Sequence, residues 1–254
     1  FMARPPQAQK RSGKKRQAHN GSPAREALWR SLFALITLAI GLLAVYALTR
    51  PDRSSFGAGG APTPLPTAPL TPHLGHIGII AGHWGNDSGA VCADGLTEVS
   101  VNLDIARRVR RQLERLGYQV DLLEEFDTRL TGYRADALLS IHADSCEYVN
   151  DEATGFKVAS AAHRSTADQD SRLVDCLIQH YARRTGLPFH AGSITYDMTD
   201  YHGFFEIAPT TPAAIIETGF LYLDRDILTR EADNIAAGIV EGLTCFLEGQ
   251  KPQP

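Results

Sequence analysis

The chain has 254 residues, 43% of them hydrophobic and 21% charged, which leaves room for one ordinary folded domain with appendages and argues against a disordered chain. Its formal net charge of −4 hides an asymmetry, because residues 1–30 hold eight Lys or Arg against one acid while 31–254 hold 17 basic and 28 acidic residues. A folded part that acidic excludes polyanionic nucleic acid as its partner, and four cysteines without any CxxC spacing exclude a zinc finger or a thioredoxin-type site.

Residues 1–30 read as a basic cytoplasmic tail. Ser31 to Thr49 (SLFALITLAIGLLAVYALT) is uncharged over 19 residues, closed by Arg30 and by Arg50-Pro51. As a helix it spans roughly 28 Å, about one bilayer core, so a single transmembrane helix is expected here. By the positive-inside rule the N-terminus stays cytoplasmic and the rest of the chain lies outside the cytoplasmic membrane. A cleavable signal peptide ending near Ala47 is the rival, against which stand the long charged leader and the length of the apolar run. Residues 50–73, rich in Pro and Gly, form a linker; at about 3.1 Å per residue it reaches up to roughly 70 Å from the membrane.

From residue 74 to 254 short apolar runs alternate with amphipathic stretches, the pattern of a single α/β domain with a mostly parallel central sheet flanked by helices. Strands are predicted at His76–Ile80, Tyr118–Leu123, Ala137–Ile141, Phe156–Ser160 and Ala213–Ile216. A helix over Glu98–Leu116 places Val99, Leu103, Ala106, Val109, Leu113 and Leu116 on one face and stops at Gly117. Two more are expected at Ser165–Thr185 and Asp226–Leu247, the latter with Ile235, Ile239, Leu243 and Phe246 facing inward.

In open α/β sheets ligands bind beyond the carboxyl ends of the strands, so the polar residues that follow each apolar run are the candidates. His83 follows the first strand, Glu98 opens the first helix, His142 follows the Ala137–Ile141 run and Glu217 follows Ala213–Ile216. Two imidazoles and a carboxylate leave zinc a fourth position for water, and a second carboxylate nearby is available as general base.

The strings GHWGNDSGA, then Gly95 to Glu98 opening a helix, then SIHAD, then PAAIIETGF resemble, in that order, the zinc-dependent N-acetylmuramoyl-L-alanine amidases, a family of cell-wall hydrolases. The resemblance covers about Gly75 to Leu247. It implies that His83, Glu98 and His142 hold one zinc ion and that Glu217 is catalytic. The implied reaction is hydrolysis of the amide between the lactyl group of N-acetylmuramic acid and L-alanine in peptidoglycan, with room for a protein activator. The chain departs from the family in ways that place it on an atypical branch: Ile80 and Ala81 stand where an acid and a Pro usually precede the first Gly-His, Trp84 replaces a Gly, and Asp144 replaces an Asn. Leu223 stands near a second missing Asn, and the segment before SIHAD is short, carrying only Arg129 and Arg134.

Two other functions compete with this one: a zinc peptidase acting on the stem peptide, and a non-catalytic wall-binding domain. A binder has no need of a base beside an open metal position, which favours an enzyme. Substrate-binding residues are not identified, although GSITYDMTDYHGFFE resembles a cleft wall with Tyr196, Tyr201 and His202 as polar handles, with ordinary loop as the alternative. Glu206 reads as a second acid or a salt-bridge partner. Asp87 and Asp144 flank the candidate ligands as acceptors for imidazole N–H or as solvated loop residues. In an exported domain Cys92 with Cys146 and Cys176 with Cys245 are candidate disulfides, buried thiols being the alternative.

Overall fold

Five strands, β1 (His76–Ala81), β2 (Gln119–Leu123), β3 (Ala137–Asp144), β4 (Lys157–Ala159) and β5 (Ala213–Phe220), form one sheet in the order β2-β1-β3-β5-β4. In this computed structural model the described residues are 74–249 and the single position Ile36, so the basic tail, the apolar segment and the linker otherwise lie outside them. Among the described residues no helix is long and apolar enough to cross a membrane.

The pairings β2–β1, β1–β3 and β3–β5 are parallel, as the alternating pattern predicts. β4 runs antiparallel to β5, which makes the sheet mixed; a three-residue edge strand carries no signal of direction in its sequence. The strands β3 and β5 are longer than expected and run through His142 and Glu217 rather than ending before them.

The helices are α1 (Glu98–Leu116), α2 (Ala167–Thr185), α3 (Tyr196–Thr199), α4 (Gly203–Glu206), α5 (Arg225–Arg230) and α6 (Ala232–Leu247). α1 starts where the Thr97 hydroxyl accepts the Ser100 N–H and stops at left-handed Gly117. Its buried stripe is Glu98, Val101, Asn102, Ile105, Ala106, Val109 and Leu113, which corrects the expected face: Val99 and Leu103 are half-buried and Leu116 is exposed. Turning Glu98 and Asn102 inward rotates the helix by that much. The expected last helix is two, because Glu231 leaves helical geometry (φ −116°, ψ 28°) between α5 and α6.

Alternation along the strands divides the core in two. Ile77, Ile79, Leu139, Ile141, Ala214 and Ile216 pack under the long helices α1, α2 and α6, where Ile235, Ile239, Leu243 and Phe246 are buried as predicted. Cys176 of α2 and Cys245 of α6 are joined by a disulfide in this layer. The opposite face, with Ile80, Leu138 and Ile215, is covered only by short pieces around Leu130, Tyr133, Met198, Tyr201 and Phe204. His142 and Glu217 share the parity of this thinner face, and they sit opposite each other in the β3–β5 register. The cleft opens on that side.

Candidate active site

His83 stands in the turn after β1 with φ at +67°, the only non-glycine residue with positive φ among those described. Such a backbone is costly for a side chain of this size. It is held by the Glu125 carboxylate, which accepts the His83 N–H at 2.7 Å, and by Asn86 and Asp87 N–H groups donating to the His83 carbonyl. Asp87 Oδ1 lies 2.6 Å from His83 Nδ1, which fixes the ring and leaves Nε2 facing Glu98 Oε1 at 3.2 Å. Of the two flanking acids considered in the sequence, Asp87 is thus the one on an imidazole. Asp144 instead pairs with Lys157.

Glu98 occupies the first position of α1, where the helix dipole favours a carboxylate. It accepts from the Ala90 and Ala143 N–H groups and from Asn102 Nδ2, and it meets His142 Nδ1 at 3.2 Å. Burial pushes Glu98 up, but the hydrogen bonds from the two imidazoles override it and hold the carboxyl well below the usual range. Its hydrogen bond in turn raises His83 to about 9. Burial lowers His142, and Glu98, Glu217 and Glu125 more than reverse that.

Ligand atoms of His83, Glu98 and His142 all lie within 4.8 Å of one another, a group able to hold a metal ion. The donor set fits one: two imidazoles and a carboxylate suit a borderline cation. Two glycines make the approach possible. A Cβ on Gly82 would meet the His142 ring at 2.4 to 2.5 Å, and one on left-handed Gly89 would meet Glu98 Oε2 at 2.5 Å. The disulfide Cys92–Cys146 ties the loop before Glu98 to the loop after His142.

Glu217 faces the same cleft, about 390 Å³ in volume and lined also by Asp144, Thr195, Asp197, Met198 and Tyr201. Its Oε2 is buried and has no hydrogen-bond partner. Burial pushes its carboxyl up to about 7, with the His142 charge opposing. The structure therefore brings together His83, Glu98, His142 and Glu217, which the sequence singles out. Of the three polar handles expected on the cleft wall only Tyr201 lines this cleft, in the turn after α3; Tyr196 and His202 line the neighbouring cavity instead. His190 lies elsewhere, edge-on to Phe220 and bonded to Ser193. Glu206 is a salt-bridge partner, of His202.

Sequence reasoning passes over Asn102 and Glu125. Asn102 is one helical turn beyond Glu98, a spacing that could have flagged it. Glu125 is buried and contacts His83, His142, Tyr201 and His202, partners distant in the chain.

Comparison with known proteins places this geometry. The family model of the N-acetylmuramoyl-L-alanine amidases matches residues 77–245, and the chain belongs to that family. The amidase AmiC of Neisseria meningitidis is 39% identical over 83 residues, 29% of this chain and 20% of AmiC, so the match spans about a fifth of that curated relative. Among solved structures, Ami1 from Mycobacterium smegmatis superposes with a TM-score of 0.57 at 20% identity, covering 69% of this chain and 97% of Ami1. The catalytic domain of the amidase CwlV from Bacillus (Paenibacillus) polymyxa gives 0.52 at 25% identity, covering 68% and 98%. CwlD from Clostridioides difficile, solved in complex with the GerS lipoprotein, gives 0.54 at 20%, covering 69% and 100%. The shared fold spans the described domain.

Proposed function

We propose that the chain is a zinc-dependent peptidoglycan hydrolase that cleaves the amide between N-acetylmuramic acid and L-alanine. The observation that carries this reading is the convergence of His83, Glu98 and His142 with Glu217, whose buried Oε2 has no hydrogen-bond partner, in one cleft of a domain of the amidase family. His83, Glu98 and His142 hold one zinc ion, whose chemistry is Lewis acidity at the scissile carbonyl and activation of water near neutral pH. Asp87 keeps the His83 tautomer, while Asn102 and two backbone N–H groups aim Glu98. Glu217 takes the proton of the attacking water on Oε2 and delivers it to the nitrogen as the C–N bond breaks. The products are the lactyl carboxylate and a stem peptide with a free amine on its L-alanine.

The domain acts outside the cytoplasmic membrane, tethered through the apolar segment 31–49 and the linker 50–73. The basic residues ahead of that segment and the two disulfides support this placement. A protein activator also belongs to the proposal, on the example of CwlD with the GerS lipoprotein.

Mass spectrometry of muropeptides after incubating the zinc-loaded full chain with purified peptidoglycan tests the reaction, with Glu217→Gln as control. Stem peptides beginning with L-alanine, alongside peptide-free glycan, are expected from the wild type alone. Shortened stems still joined to muramic acid would make the chain a peptidase instead.

A further inference from the structure

We infer that Glu125, two residues beyond β2, is the positioning carboxylate of the metal site, setting the place of both imidazole ligands at once; the inference rests on the zinc reading above. β1 and β2 are in register with Ile80 opposite Leu123, so the chain beyond Leu123 runs beside the turn that carries His83. The end of β1 itself offers no polar side chain, because Ile80 and Ala81 are buried and apolar. Glu125 fills that gap from the neighbouring strand. Its own N–H donates to the Trp84 carbonyl at 2.9 Å, which anchors its backbone to the same turn.

The two carboxylate oxygens divide the work. Oε2 accepts the His83 N–H at 2.7 Å and faces His142 Nε2 at 3.6 Å. Oε1 accepts from the Tyr201 hydroxyl and from His202 Nε2, each at 2.8 Å. Tyr201 is set in turn by the Ser140 hydroxyl, and His202 by Glu206 at 2.8 Å and by Phe126 stacked on its ring. The outer pair therefore fixes the carboxylate from the cleft wall, and the carboxylate fixes the ligands. His142 offers Nδ1 toward Glu98, and on its other side Glu125 Oε2 is the carboxylate oxygen facing Nε2, at 3.6 Å, beyond hydrogen-bond length in the metal-free protein. A carboxylate behind a ligand imidazole sets its orientation and raises its basicity, and loss of such a partner usually weakens metal binding about 10- to 100-fold. Glu125 does not line the cleft that holds Glu217 but borders a neighbouring cavity with Tyr201 and His202, and its contacts with the site run to the two histidines.

The test measures zinc affinity of the full chain by chelator competition, and the visible spectrum of the cobalt-substituted protein as a report on ligand geometry. Glu125→Gln is expected to weaken zinc about 10- to 100-fold and shift the cobalt bands, with the thermal midpoint of the metal-free protein little changed. His202→Gln, at a half-exposed position, is expected to weaken zinc a few-fold, and the double variant to equal Glu125→Gln alone because the effect passes through one carboxylate. Zinc affinity within twofold of wild type and an unshifted cobalt spectrum in Glu125→Gln would overturn the inference, as would additive effects in the double variant. Should Glu125→Gln not fold, His202→Gln decides on the same two readouts. Glu98→Gln separates the two readings: loss of zinc there but not in Glu125→Gln sinks the inference alone, whereas a wild type that binds no zinc sinks both.

Discussion

Glu98 and Glu217 look into the same cleft from opposite sides, one from the start of α1 and the other from β5, and their surroundings differ in kind. Around Glu98 the carboxylate has a full set of polar partners: two backbone N–H groups, an Asn102 amide and two imidazoles, with the Cys92–Cys146 disulfide closing the loops behind. On the β5 side Glu217 Oε2 is buried with no partner, and the wall beyond it is built from the four-residue helix α3 and the turn that follows. Two carboxyls facing one cleft are thereby driven in opposite directions, one held ionised and one raised. The difference shows that burial alone does not assign a role to a carboxyl. What assigns it is whether the fold supplies donors.

The largest effect that would break this contrast is on turnover. Glu217→Gln is expected to lower kcat by about 10²–10⁴-fold or more while zinc content stays at one per chain, measured by metal analysis beside muropeptide release. Gly82→Ala comes next, since its Cβ would overlap the His142 ring; zinc affinity should fall at least tenfold, as read by chelator competition.

The two disulfides sharpen the comparison further. They close segments of similar length, 54 and 69 residues, so Cys92→Ser/Cys146→Ser and Cys176→Ser/Cys245→Ser should each lower stability by about 2–4 kcal/mol in denaturant titrations. Only the first pair, which ties the ligand loops, should also weaken zinc. Equal zinc affinities in the two variants would detach that bridge from the site.

The smallest expected effect is on pH. Glu217 must be ionised to accept a proton, so kcat/KM should rise with pH through an acid limb at about 7, or lower where a bound zinc ion pulls it down. In the metal-free protein the sign for stability is opposite. A carboxyl raised by burial binds its proton more tightly folded than unfolded, so its contribution is lost as pH climbs from the ordinary carboxylate range through about 7. Glu217→Gln should therefore stabilise the metal-free fold more at pH 8 than at pH 5, by thermal unfolding at both values.

Much of this site is readable from the sequence because its residues lie in strings with a fixed relation to strand ends. GHWGNDSGA and SIHAD sit at the carboxyl ends of β1 and β3, and period-two alternation puts His142 and Glu217 on one face once the two strands are adjacent. The helix α1 is legible to the residue, since Gly117 ends it. Its buried face is not, because inward-facing Glu98 and Asn102 count as polar in any apolar periodicity. Glu125 is hidden for a different reason. It sits in LLEEFD beside an exposed Glu124, and its partners at 201 and 202 reach it only through folding. The direction of β4 and the break at Glu231 are likewise decisions of packing that three residues or a continuous helical pattern do not announce.

The most direct test of the division between the two carboxyls is to measure zinc content and muropeptide release side by side in Glu98→Gln and Glu217→Gln. Glu98→Gln should lose zinc and activity together, and Glu217→Gln should keep zinc and release no stem peptide. Undiminished release by Glu217→Gln, or full zinc retention by Glu98→Gln, would contradict the roles given to them.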